Sequence, residues 1–193
     1  MRIGVLAIQG DYAKHLTMLE TLGVETLLVR TERELAACDG LILPGGESTT
    51  LTILLKKHGL WTPLQEFGRR KAIFGTCAGL ILLAHSASDH KMETLDLIDL
   101  EVKRNAYGRQ IDSFIDSVRL DLQGVAGRIE GVFIRAPKIV SCGHGVTPLA
   151  WHRDDVVAAE NEHILVSSFH PELTDSPLLH RHFTAKVSRF LHD

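Results

Sequence analysis

Cysteine is scarce in this chain: three among 193 residues, at Cys38, Cys77 and Cys142. An odd number with no close pairing argues against a disulfide framework and favours a reducing compartment. Long apolar runs are missing too. No segment approaches the ~18 apolar residues of a membrane span. The apolar start Met1–Ile8 is cut off by Gln9, Gly10 and Asp11, too short for the apolar region of a typical signal peptide and without a cleavage site. The cytoplasm is the expected location. Neither charge dominates: 21 Lys and Arg stand against 24 Asp and Glu, a net charge of -3, so no global field draws nucleic acid or an anionic membrane. Small molecules or proteins are the expected partners. With no repeat, low-complexity tract or linker, residues 1–193 are expected to form a single domain, a size that buries roughly 70% of the surface an unfolded chain exposes.

The first half of the chain alternates β-rich runs with helical patterns. Ile3 to Ile8 reads as a strand, followed by a helix near Tyr12 to Leu22 in which Tyr12, Leu16 and Leu19 recur at helical spacing, closed by Gly23. Glu25 to Val29 is a second strand. Thr31 and Glu34 suggest a capping box on a short helix, and Gly40 to Leu43 is a third strand ending at Pro44. Thr62, Pro63 and Gln65 mark a further helix start, with Thr62 as the cap. Ala72 to Gly75 is a fourth strand, running through Thr76-Cys77-Ala78-Gly79 into an apolar helix, Leu80 to Ala84. Such alternation predicts a parallel sheet covered on both faces. From about Glu101 strands predominate: Glu101 to Arg104, Ser117 to Leu122, Gly131 to Arg135, Lys138 to Ser141, Val156 to Glu160 and His163 to Ser167. These predict an antiparallel extension, closed by an amphipathic helix from about Ser176 with Leu179, Phe183, Val187 and Phe190 on one stripe.

Three stretches can carry chemistry. Gly75 to Gly79 sets Cys77 between a buried strand and a helix start, where the helix end favours thiolate and free N–H groups can receive an oxyanion. Small residues around it suit a nucleophile elbow, though a buried structural cysteine fits this motif equally well. In Ser168-Phe169-His170-Pro171-Glu172, proline biases His170 away from helix. In an extended segment residues two apart project to one side, so Glu172 can approach His170 as the orienter a thiol's base needs. Taken alone, a surface salt bridge is the commoner use of such a turn. In Leu43-Pro44-Gly45-Gly46-Glu47-Ser48 two glycines allow close backbone approach to a ligand. A phosphate loop would need a lysine that is missing, and a plain strand-to-helix turn remains open.

Together, and in this order, the three stretches resemble the class I glutamine amidotransferases, whose triad is Cys, His and Glu. Four more narrow the resemblance to the glutaminase subunits of pyridoxal phosphate synthases: Ala7 to Gly10, Pro44 to Thr50, Arg104 to Gln110 and Gly131 to Pro137. Departures are peripheral, at Asp11 to Lys14, Lys91 to Glu93 and a short carboxyl end. The resemblance implies a three-layer, flavodoxin-like α/β fold with a mostly parallel central sheet. It implies Cys77 as nucleophile, His170 as base and Glu172 as orienter. L-glutamine would be held by Gly46, Glu47, Ser48, Arg104, Ile134 and Arg135, with the oxyanion hole at the N–H groups of Gly46 and Ala78. Gln9 and Gly10 would couple the site to a synthase subunit in a hetero-oligomer, with ammonia passed on for pyridoxal phosphate synthesis. It implies no metal and no bound cofactor.

Other conspicuous residues receive plainer readings. Cys142 and His144 fall short of the three or four ligands of a zinc site. His180 and His182, two apart on a helix, cannot share a face. Lys103, Arg104, Arg109 and Tyr107 do not match an RNA-recognition signature, and Cys38 is expected to pack.

Overall fold

A computed structural model describes residues 1–87, 92–104, 113–122 and 124–191. In chain order its elements are β1 (Arg2–Leu6), α1 (Tyr12–Thr21), β2 (Glu25–Val29), α2 (Glu32–Ala36), β3 (Gly40–Leu43) and α3 (Ser48–Lys57). Next come α4 (Trp61–Gly68), β4 (Ala72–Thr76), α5 (Ala78–Leu83), β5 (Ala84–Ala87) and β6 (Ile98–Lys103). The rest comprises β7 (Ser113–Leu122), β8 (Val125–Ile134), β9 (Lys138–Cys142), β10 (Thr147–His152), β11 (Asp155–Glu160), β12 (Ile164–Ser167), a 3-10 turn (Pro171–Leu173) and α6 (Leu178–Arg189).

Nine strands form one sheet in the order β2-β1-β3-β4-β12-β11-β10-β7-β8. Neighbours from β2 to β12 run parallel, and those from β12 onward antiparallel. The parallel half follows the flavodoxin-like doubly wound order, whose ligand crevice lies outside the carboxyl ends of the strands. Side chains on β3 and β4 alternate between faces, as the two-residue repeat requires. Leu41, Leu43 and Ile73 join a core with α2, α3, α4 and α5, while Ile42 and Phe74 join another with α1 and α6. Two helical layers on one sheet make the three-layer α/β fold.

Several expectations are corrected. Thr62 does not cap α4: Leu60 holds the N-cap position and Pro63 falls inside the first turn, where its missing N–H has no intrahelical partner to lose. The capping box at Thr31 and Glu34 is present, each side chain bonding the other's backbone N–H. The strands around Glu101 and Lys138 do not extend the main sheet. They are β6 and β9, which with β5 form a separate three-stranded sheet. Ala84 starts β5 rather than ending α5, and β10 was not anticipated. Finally, the run His163 to Ser167 yields β12, which belongs to the parallel half beside β4. No described helix is long and apolar enough to cross a membrane.

Candidate active site

The carboxyl ends of three adjacent strands assemble the site. Leu43 pairs with Gly75 across β3 and β4, and Thr76 pairs with Ser167 across β4 and β12. Pro44 to Gly46, Cys77, and Ser168 to His170 therefore leave the sheet side by side. Since β1 pairs with β3, the Ile8 to Gly10 segment leaves at the same edge.

Cys77 has φ 49° and ψ -102°, at the N-cap of α5. A positive φ on a non-glycine residue stores on the order of 1–3 kcal/mol and persists only where the surroundings impose it. Here the surroundings are glycines. A Cβ on Gly75 would stand 2.7 Å from the Gly79 carbonyl carbon, and one on Gly79 only 2.3 Å from the Leu43 carbonyl oxygen. The turn closes that tightly, and the Cys77 N–H donates to the Ser167 carbonyl at 2.8 Å. Cys77 is buried, as are Ala78 and the rest of α5.

His170 and Glu172 meet, with His170 Nδ1 2.7 Å from Glu172 Oε1. They do so differently from the extended arrangement expected. Pro171, whose φ is preset near helical values, opens the 3-10 turn with His170 at its N-cap, and this turn brings the carboxylate back to the ring. Both side chains are buried, so the pair is no surface salt bridge. Burial lowers the His170 pKa, but hydrogen bonding to Cys77 and the nearby Glu172 carboxylate outweigh it and raise the pKa to about 10. Glu172 is held well below the usual carboxylate range: burial opposes this, and His15 and then His170 overcome it.

The glycine turn packs against both. A Cβ on Gly45 would meet His170 Cε1 at 2.5 Å, and one on Gly10 would lie 1.8 Å from the Gly45 carbonyl oxygen. Gly46 has φ +148° and lies against Gln9, whose Oε1 is buried without a hydrogen-bond partner among the described residues. Glu47 caps α3 by accepting the Thr49 and Thr50 N–H groups. Burial opposes its ionisation, but the Thr50 and Thr49 hydrogen bonds dominate and lower its pKa to about 2. Arg104 lies 3.5 Å from Glu47, and Cys77 Sγ approaches the Ile134 carbonyl at 3.8 Å. Arg135, next in line, also has a positive φ, 46°.

These residues enclose a cleft of about 340 Å³, near the lower end of small-molecule sites, roughly 300–1,000 Å³. Gly10, Gly46, Glu47, Ser48, Cys77, Arg104, Ile134, Arg135 and His170 line it, with Asp11, Gly45 and Ile81 added by the structure. Glu172 stands behind His170, while Gln9 and Ala78 are off the wall. Lys91 and the motif from Asn105 to Gln110, with Tyr107 and Arg109, lie outside the described residues. Among the described residues no three His, Cys, Asp or Glu side chains are grouped to hold a metal ion.

One neighbour escaped sequence reasoning. His15 on α1 is fully buried, with its Nε2 3.5 Å from Glu172 Oε1. The signal was its spacing. His15 precedes Met18 and Leu19 by three and four positions, and those three form the buried face of α1, whereas Tyr12 and Leu16 of the expected stripe are only half-buried. Chemically, a thiol on a tight turn, a carboxylate-oriented imidazole and a small cleft can perform acyl transfer.

Relatives agree. A pyridoxal 5'-phosphate synthase subunit PdxT of Francisella tularensis subsp. novicida is 47% identical over 184 residues, 95% of this chain and 98% of that protein. The PdxT subunit of Oenococcus oeni is 45% identical over 183 residues, 95% of each chain. A solved structure described as a glutamine amidotransferase superposes with a TM-score of 0.90 at 40% identity, covering 96% of this chain and 98% of the other. A putative GMP synthase subunit from Thermoplasma acidophilum shares the fold, with a TM-score of 0.70 at 18% identity over 100% of this chain and 96% of the other. The model of the SNO glutamine amidotransferase family matches residues 5–189, and the chain belongs to that family.

Proposed function

We propose that this chain is the glutaminase subunit of a pyridoxal phosphate synthase, acting as one unit over residues 1–193. It hydrolyses L-glutamine to L-glutamate and ammonia, and passes the ammonia to a synthase subunit in a hetero-oligomer. The relatives named above support the assignment. The observation that carries the chemistry is the convergence of Cys77, His170 and Glu172 at one amino-acid-sized cleft.

In this reading His170, its pKa raised by Cys77 and Glu172, has taken the thiol proton before the Cys77 sulfur attacks the side-chain amide carbon of glutamine. The tetrahedral oxyanion is received by the N–H groups of Gly46 and Ala78. Collapse expels the amide nitrogen, which takes the proton from His170 and leaves as ammonia, with a thioester on Cys77. Water, deprotonated by His170, attacks the thioester, releasing glutamate and restoring the thiol. Glu172 holds the imidazole in the tautomer this shuttle needs. Gly46, Glu47, Ser48, Arg104, Ile134 and Arg135 hold the substrate. No metal or bound cofactor takes part.

Gln9 and Gly10, packed on the glycine turn, couple the cleft to the synthase subunit. A missing oxyanion donor lowers turnover by roughly 10²- to 10³-fold, so a turn completed by the partner acts as a switch. The cytoplasm, where both subunits would be made and kept reduced, is the proposed location.

Glutamate release is to be measured with and without saturating synthase subunit. It is expected to rise by at least about tenfold with the partner, a floor beneath the loss of one oxyanion donor. A glutamine-like electrophile should label Cys77 alone. Absence of glutaminase activity in the assembled complex, or a label on Cys38 or Cys142, overturns the reading.

A further inference from the structure

Behind the cleft, two histidines 165 positions apart in the chain, one on α1 and one on α6, are buried against each other with their rings tilted by 47°. His15 Nδ1 lies 2.9 Å from His180 Nε2. The other nitrogen of His15, Nε2, stands 3.3 Å from Thr76 Oγ1 and 3.5 Å from Glu172 Oε1. This is the carboxylate oxygen that His170 Nδ1 also approaches. Among the described residues Glu172 Oε2 and His180 Nδ1 have no hydrogen-bond partner.

Hydrogen-bond accounting assigns the protons. The contact between the two rings needs one hydrogen. A proton on His180 Nδ1 would leave a buried donor unmatched, at about 1–3 kcal/mol. Placed on His180 Nε2 it is donated to His15 Nδ1. Burial, reinforced by the neighbouring His15, lowers the His180 pKa to about 3, so this ring is neutral and carries one hydrogen near neutral pH. His15 Nδ1 is then an acceptor, and its own hydrogen sits on Nε2, facing Thr76 and Glu172.

A buried carboxylate needs polar hydrogens around it. With Oε2 unmatched, that support converges on Oε1, from His170 on one side and His15 on the other. At 3.5 Å the His15 contact is longer than an ordinary N–H to O hydrogen bond, so it acts chiefly through its electric field. Thr76 extends the network, because its Oγ1 also accepts the Gly45 N–H at 3.1 Å. His15 thus touches the support of the base and, through Thr76, the glycine turn.

We propose that His15, with its tautomer set by His180, is a positioning residue that keeps Glu172 ionised and aimed at His170. The proposal rests on the triad reading above. Without the His15 N–H, Glu172 loses one of its two opposing contacts, and the imidazole it orients loses its fixed tautomer. Substrate binding does not involve His15, which lies off the cleft wall.

The test uses the assembled synthase complex and steady-state glutamate release. His15→Leu is expected to lower kcat by about tenfold, a modest part of the 10²- to 10⁴-fold that acid–base catalysis contributes, with KM changed less than about twofold. His15→Gln, whose amide N–H can reach towards Glu172, should restore most of kcat. His180→Phe should lower kcat in the same direction by a smaller factor. In a Glu172→Gln background His15→Leu should add less than about twofold, since the carboxylate it supports is gone. A kcat for folded His15→Leu within twofold of wild type overturns the proposal, as does an equal loss in both backgrounds. Should His15→Leu not fold, His15→Asn replaces it. The shorter amide reaches His180 and not Glu172, so full kcat there overturns the proposal equally. Failure of the triad reading is distinct: it appears as turnover surviving in Cys77→Ala.

Discussion

In the parallel half of the main sheet, β3, β4 and β12 are buried at every position, whereas β7 and β8 bury alternate residues along only part of their ten-residue lengths. The first pattern belongs to strands covered on both faces, the second to a hairpin with one face in solvent. The difference decides where chemistry can sit. Parallel neighbours all end on the same side, so each contributes a loop to one crevice. An antiparallel hairpin alternates its ends, and among the described residues of this one only the end of β8 reaches the cleft, with Ile134 and the following Arg135.

The largest effect expected from breaking this contrast is at Cys77. Cys77→Ala should abolish glutamine hydrolysis, by about 10⁴-fold or more, with an unchanged melting temperature because one small side chain replaces another in the turn. Glu172→Gln should leave substrate binding largely intact and lower kcat. Turnover at wild-type rate in either variant of the assembled complex would show that the parallel crevice does not hold the reaction.

Glycines sharpen the comparison at intermediate size. A Cβ on Gly45 would press on His170 Cε1, and one on Gly79 on the Leu43 backbone, but around Gly127 in β8 nothing lies within 4 Å. Gly45→Ala should therefore cost about 10²-fold in kcat by displacing the base. Gly79→Ala should destabilise by about 1–3 kcal/mol through overpacking. Gly127→Ala should leave kcat unchanged and be neutral or stabilise by up to about 1 kcal/mol. Denaturant titration and kcat for the three variants decide the matter, and equal penalties at Gly79 and Gly127 would erase the distinction.

The smallest effect concerns acid. Because the pKa of His180 is lowered from 6.5 to about 3, the unfolded chain binds a proton that the folded chain refuses. Stability supplied by His180 is thus present above pH 6.5 and is lost as pH falls towards 3. Between pH 6.5 and about 5.5, above the range where Glu172 becomes protonated even when unfolded, the slope from this one group should not exceed about 1.4 kcal/mol per pH unit. His180→Phe should flatten it. Identical slopes for variant and wild type would mean that this ring is not kept neutral by burial.

Much of the molecule was legible from residue order. The alternation of apolar runs with helical stripes specified the doubly wound half, because strand and helix periods are local properties of the chain. The capping box at Thr31 and Glu34 was legible for the same reason. So were the glycine-flanked Cys77 and the approach of Glu172 to His170 two residues away, although a 3-10 turn and not an extended segment brings them together. Three further features depended on distant pairings. β12 slots between β4 and β11, and β6 and β9 leave the main sheet for a small one. His15 and His180 meet beside Phe74, each ring set edge-on to it. A strand's hydrophobic pattern states that it is buried and not which neighbour it bonds, and a histidine on an apolar stripe does not reveal what faces it. Partner choice is settled by packing among segments far apart in the chain. It is that packing which sets His170 beside Cys77 and puts a second imidazole behind Glu172.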